Sequence, residues 1–165
     1  MSGAASLSAR PPSVTAERCR LARTRVELDD HFTVRRAVFV VEQRLFAGDD
    51  RDERDADAGT LHAIGVVAGA VGGAVRLYPL DGAGLWKGDR LAVLPALRHG
   101  LLGAELVRFA VRTAGELSGR RMVAMIQLPN VRFFEMLGWR GSGPVAHYHG
   151  VLHQPMQIAL SGRDG

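Results

Sequence analysis

Between Leu91 and Gly103 the chain has the residue types and order that can hold an anion. The apolar run Leu91 to Leu94 reads as a short strand, which Pro95 ends because proline has no N–H to give a sheet ladder. Arg98, His99, Gly100, Leu101, Leu102 and Gly103 follow. Next comes a segment in which Leu102, Leu106, Phe109, Ala110, Thr113 and Leu117 share one face at helical spacing. Glu105, Arg108, Arg112 and Glu116 take the opposite face, so the segment reads as an amphipathic helix packed on one side. The first turn of a helix leaves backbone N–H groups without partners, and its dipole favours negative charge there, so such a corner suits a pyrophosphate. Glycine-bearing turns are also common in α/β domains generally, and the corner by itself supports both readings.

The elements that must position this corner follow from patterning. Cys19 to Leu28 reads as a strand, and Asp29 and Asp30 as N-caps of a helix carrying Phe32, Arg35, Arg36 and Phe39, which the β-branched Val38, Val40 and Val41 should end early. Leu61 to Val67 and Gly73 to Tyr78 read as a hairpin whose Gly65 to Gly73 stretch supplies positive φ at the turn. Pro79 to Gly88 reads as a loop, with Trp86 in the core. Arg121 to Gln127 reads as a buried strand broken by Leu128 and Pro129. Asn130 then caps a short helix, Val131 to Leu137, which Gly138 ends. Two short strands around His147 to Gly150 complete the chain.

Composition narrows the function classes. A chain of 165 residues with 47% apolar residues suits one globular domain, expected at 17–165 behind a disordered lead-in at 1–16. The lone Cys19 allows no internal disulfide and no cysteine-cluster metal site, in keeping with a reducing cytoplasm. Basic charge is spread as twenty arginines and one lysine, Lys87, without a basic run, so no nucleic-acid partner is expected. No stretch approaches the ~20 apolar residues of a membrane span. The loop Ala47 to Thr60 holds six carboxylates in fourteen residues, but it fails the calcium-loop template at both its glycine and its closing glutamate. Two readings remain for it, a solvated connector pinned by Asp side chains to its own backbone or an attractor for a substrate amine, and the first is favoured. No metal site is expected.

Two motifs together carry a resemblance. Arg98 to Gly103 is similar to the Arg/Gln-x-x-Gly-x-Gly/Ala acyl-CoA motif of the GNAT acyltransferase superfamily, except that Leu101 stands where the middle glycine belongs. About thirty residues later, Asn130, Phe133, Phe134, Gly138 and Trp139 resemble the second signature of that superfamily. Val38, Phe39, Val40, Glu42 and Gln43, then Asp50, Asp52, Asp55 and His62, then Tyr148, Gly150, His153 and Met156, are similar to its ElaA-like branch, which includes homologues from nitrogen-starvation gene clusters. The resemblance implies an α/β fold with a mixed, mainly antiparallel sheet flanked by helices and central strands splayed around a coenzyme. It also implies transfer of an acyl group, most simply acetyl from acetyl-CoA, to a small-molecule amine, with no metal and no membrane partner. A homodimer is left open.

The residue roles implied by the same resemblance are these. Backbone groups of Leu91, Ala92 and Val93 would pair with pantetheine, and an N–H near Val93 would meet the oxyanion. Arg98, His99, Gly100, Leu101, Leu102 and Gly103 would hold the pyrophosphate. Asn130 and Phe133 would pack along the pantetheine. Glu42, at the end of the first helix, would either take the amine proton with a raised pKa or merely cap or salt-bridge. Where many relatives carry a tyrosine acid, this chain has Phe134, so Tyr148 or a water would protonate the thiolate. Alternatively Tyr148 only packs, its strand turning His147 and His149 to the other face. A catalytically silent CoA-binding sensor and a non-enzymatic interaction module are the competing classes.

Overall fold

The computed structural model describes residues 17–162. The lead-in expected at 1–16 lies outside them. Among the described residues eight strands form one sheet: β1 (Cys19–Leu21), β2 (Leu61–Val67), β3 (Ala70–Pro79), β4 (Leu85–Val93), β5 (Arg121–Gln127), β6 (Arg140–Gly141), β7 (Ala146–Tyr148) and β8 (Val151–Ala159). The order is β1-β2-β3-β4-β5-β8-β6, with β7 also on β8. All pairings are antiparallel except β4 with β5. Those two parallel strands pair only through Leu85–Lys87 and Arg121–Val123, and beyond this point they part.

Among the described residues three α-helices flank the sheet: α1 (Arg25–Arg36), α2 (Leu102–Glu116) and α3 (Val131–Met136). α1 begins earlier than patterning suggests. The Thr24 hydroxyl accepts from the Glu27 N–H at 3.1 Å, so the helix starts ahead of Asp29 and Asp30 and the first strand ends at Leu21. Nor do the valines end the helix. They widen it into a π-helical turn, Ala37–Glu42, in which the Gln43 N–H donates to the Val38 carbonyl five residues back.

α1 and its π-helical extension pack Val34, Val38 and Phe39 on Ala74 and Ala92, while α2 covers the other face through Leu102, Leu106, Val107 and Ala110. The buried face of α2 takes in Val107 and Ala114, and Leu117 lies past the helix end and is exposed, a correction to the expected stripe. The hairpin turn needs positive φ only at Ala68 and Gly69. Gly73 instead admits α2: a Cβ there would fall 2.6 Å from Leu106 Cδ1. β4 reaches back to Leu85, because Asp81 Oδ1 accepts from the Ala83 and Leu85 N–H groups and tightens the turn before it. Trp86 is therefore a strand residue, buried in the core as expected. Gly138 ends α3 at φ 93, whereas Asn130 occupies the cap position without a side-chain cap bond.

Candidate active site

The gap between β4 and β5 contains a cavity of about 130 Å³. Side chains alternate across a strand, yet both faces of β5 line it: Met122, Ala124 and Ile126 from the α2 side, Met125 and Gln127 from the α1 side. The cavity thus runs through the sheet. Phe134 and Trp139 close its α2 side, and Phe39, Phe46, Tyr148 and His153 wall the other.

A bulge shapes the β4 wall. Ala74 pairs with Ala92 and Arg76 with Asp89, so β4 carries one extra residue there, and Arg90 takes φ 52. For a non-glycine residue this conformation costs free energy, and buried ionic bonds offset it. Arg90 Nε donates to Asp50 Oδ2 at 3.1 Å and its Nη2 to the Asp50 carbonyl at 3.0 Å. Arg35 Nε meets the same Oδ2 at 2.8 Å, and Arg35 also holds Asp55 with two bonds. Arg76 clamps Asp89 with two bonds of 2.7 Å and reaches Asp52 at 2.6 Å.

The acidic loop is consequently not a solvated connector. Asp49 and Asp52 do bond local backbone, but Asp50 is 1% exposed and Asp50, Asp52 and Asp55 neutralise three buried arginines. Burial pushes the Asp55 pKa up, but hydrogen bonds from His62 and Arg35 outweigh it and hold the carboxyl well below the usual range. Beneath this cluster, burial pushes His31 down to about 3; the neutral ring donates from Nδ1 to the Ala63 carbonyl at 2.9 Å. Among the described residues no group of three or more His, Cys, Asp or Glu side chains is arranged to hold a metal ion.

The end of the first helix reaches both lips of the gap. Glu42 forms a two-pronged ion pair with Arg98, one prong 2.6 Å from Nη1 to Oε2, and Gln127 Nε2 donates to Gln43 Oε1 at 3.0 Å. Of the two readings of Glu42, the salt bridge is the one formed: the Arg98 hydrogen bond lowers its pKa, against the rise that a general base would need. Arg98 Nε in turn donates to the Val93 carbonyl at 2.9 Å, so its guanidinium spans the β4 edge and Glu42.

The helix corner is assembled as follows. No side chain caps α2, so the N–H groups of Leu102, Gly103 and Ala104 have no partner within their own helix. His99 and Gly100 are exposed beside it, while the Leu102 side chain is buried in the core and can offer only backbone to a ligand. Leu101, in the missing glycine's place, has φ −94 and a 69% exposed side chain, so its conformation does not require glycine. A Cβ on Gly103 would meet Val93 Cγ2 at 3.7 Å and Phe133 Cζ at 3.8 Å. The two motifs therefore come together, with Leu91 and Val93 half-buried, Ala92 buried towards α1, and Asn130 exposed at the cavity edge.

A model of the acetyltransferase (GNAT) family matches residues 26–139. The chain belongs to the GNAT acetyltransferase family. No curated protein matches it. Among solved structures, Escherichia coli ElaA is 21% identical with a TM-score of 0.75, covering 84% of this chain and 97% of ElaA. An acyl-CoA N-acyltransferase from Pseudomonas aeruginosa is 24% identical with a TM-score of 0.72, covering 84% of this chain and 96% of that one. An aminoglycoside 6'-N-acetyltransferase complexed with coenzyme A is 14% identical with a TM-score of 0.71, covering 89% and 99%. At these identities the likeness is one of fold, and the expected mainly antiparallel GNAT sheet flanked by helices is what the chain has.

Within this GNAT cavity the fold adds residues that sequence reasoning passed over. His153, 4% exposed, was noted only as part of a pattern; its Nδ1–H donates to the Val151 carbonyl at 2.8 Å, which leaves a lone pair on Nε2 of the neutral ring. Its ring stacks edge-on against Tyr148 at 5.3 Å. The strand alternation expected for the two neighbouring histidines fails at His149, which sits in the hairpin turn at φ 49 and packs on Phe46 and Tyr148. Trp139 Nε1 is buried without a hydrogen-bond partner among the described residues. The second signature marked Trp139 by type, but the unpaired state of its N–H depends on neighbours distant in sequence.

Proposed function

We propose that this GNAT protein is an acyl-CoA-dependent N-acyltransferase that moves an acyl group, most simply acetyl, to a primary amine of a small molecule by direct attack. The observation that carries this reading is the cavity through the sheet, lined by Val107 and Ala110 of α2 on one face and by the aromatic side chains of Phe39, Phe46 and Tyr148 on the other. Acyl-CoA would enter from the α2 face and the amine from the aromatic α1 face, the two meeting beside Leu91. Backbone N–H groups at Leu102 to Ala104 would face pyrophosphate, with Arg98 exchanging Glu42 for phosphate oxygens. Phe133 and Asn130 would lie along the pantetheine.

In the reaction the amine nitrogen bonds the thioester carbon and the C–S bond breaks. The amine proton goes to His153 Nε2, and the thiolate takes a proton from Tyr148 or from water. Glu42, bound to Arg98 and with a lowered pKa, is a weak base, and its part is to hold Arg98 over the β4 edge until the coenzyme phosphates take its place. Phe134 carries no proton, which favours the silent-sensor reading as the alternative.

Mass spectrometry with acetyl-CoA and pooled amines tests turnover, and calorimetry tests the site. Arg98→Ala should weaken acetyl-CoA binding about tenfold or more, and Gly103→Val should weaken it too by filling the space before Val93 and Phe133. If both variants fold and bind as tightly as the parent, the site assignment is wrong. Binding by the parent with no acylated product would leave the sensor, and no binding of any acyl-CoA would overturn the reading altogether.

A further inference from the structure

Three charged side chains line the cavity, Lys87, Asp89 and Arg90, and two of them are already neutralised within the protein. Asp89 takes two bonds from Arg76 and one from the Tyr78 hydroxyl. Arg90 is held by Asp50 and Asp52. Lys87 has no ion pair among the described residues. It is the one lysine of a chain that uses arginine twenty times. Its neighbour Trp86 points into the core under α2, so alternation turns Lys87 to the α1 side, the chamber assigned above to the amine. The side chain is half-buried at the closed end of the gap, where β4 still pairs with β5.

An uncompensated ammonium in a largely aromatic and aliphatic wall repels a second cation and attracts an anion. The carboxylates that could have drawn a polyamine, Asp50, Asp52 and Asp55, are spent on Arg35, Arg76 and Arg90. We infer that the acceptor is an amine that also bears an anionic oxyacid group, a carboxylate or a phosphate, and that Lys87 binds this group while the amine reaches the β4 edge. The acceptor is thus of the amino-acid type, and polycationic amines are excluded. This inference rests on the acyltransferase reading.

The experiment compares matched acceptors with the full-length protein and acetyl-CoA: 5-aminovalerate against 1,5-diaminopentane, tryptophan against tryptamine, and phosphoethanolamine against ethanolamine. The acid-bearing members should be acylated with kcat/KM higher by about ten- to a hundredfold, the range of one charge-assisted hydrogen bond. The carboxylate and phosphate pairs identify the anion. Lys87→Met should abolish that preference mainly through KM, Lys87→Arg should retain part of it, and Lys87→Glu should shift it to the diamine, all three binding acetyl-CoA like the parent. Equal or better use of the diamine and tryptamine by the parent, or an unchanged preference in Lys87→Met, would overturn the inference while leaving the acyltransferase standing. No acylation of either class would bring down the acyltransferase reading, and this one with it.

Discussion

Replacing Asp50 by Asn tests whether the acidic loop is a structural clamp. Asp50 shares one carboxylate oxygen between Arg35 at 2.8 Å and Arg90 at 3.1 Å, and all three side chains are 5% exposed or less. Removing one partner from a buried ionic cluster leaves charge uncompensated and costs about 3–5 kcal/mol. Arg35 keeps Asp55 and Arg90 keeps Asp52, so the lower end, about 3 kcal/mol, is expected here. With a urea slope of roughly 1–3 kcal/mol/M, the unfolding midpoint should fall by about 1–3 M. The control is Asp57→Asn, whose pair with Arg54 is exposed and should contribute about 0–1 kcal/mol. If Asp50→Asn moves the midpoint no further than Asp57→Asn, the clamp reasoning is refuted. The same variant should lower turnover, since Arg90 sits in the bulge that opens the cavity.

Stability should also depend on pH through His31. Its folded pKa of about 3 lies below the ordinary 6.5, so between these values the unfolded chain binds a proton that the folded chain refuses. Stability is full above pH 6.5 and falls as the pH drops towards 3, by up to about 1.4 kcal/mol per unit, with Asp55 adding loss only below about pH 4. Urea melts at pH 7.5 and 5.0 check this, and equal midpoints would contradict it. In the reaction, His153→Gln should lower kcat by about 10²–10⁴-fold in steady-state assays. Tyr148→Phe distinguishes an acid from a packing residue: a folded variant with unchanged turnover takes Tyr148 out of the mechanism.

Local chemistry made much of the protein legible from sequence. The apolar run and Pro95 marked the end of β4, helical spacing marked α2, Arg121 to Gln127 read correctly as a strand, and two spaced motifs pointed to the GNAT fold. Each of these depends on residues within a few turns of one another. The rest was settled by partners far apart in the chain. Asp50 looked like a loop carboxylate until Arg35 and Arg90 closed on it, separated by 15 and 40 positions. Glu42 could be read as a base or as half of a salt bridge until Arg98 reached it across 56 positions. Burial, ion pairing and the alternation that aims Lys87 at the cavity are properties of the packed sheet. A carboxylate or an ammonium has the same side chain in either setting, and only the surrounding dielectric and the nearest opposite charge decide what it does.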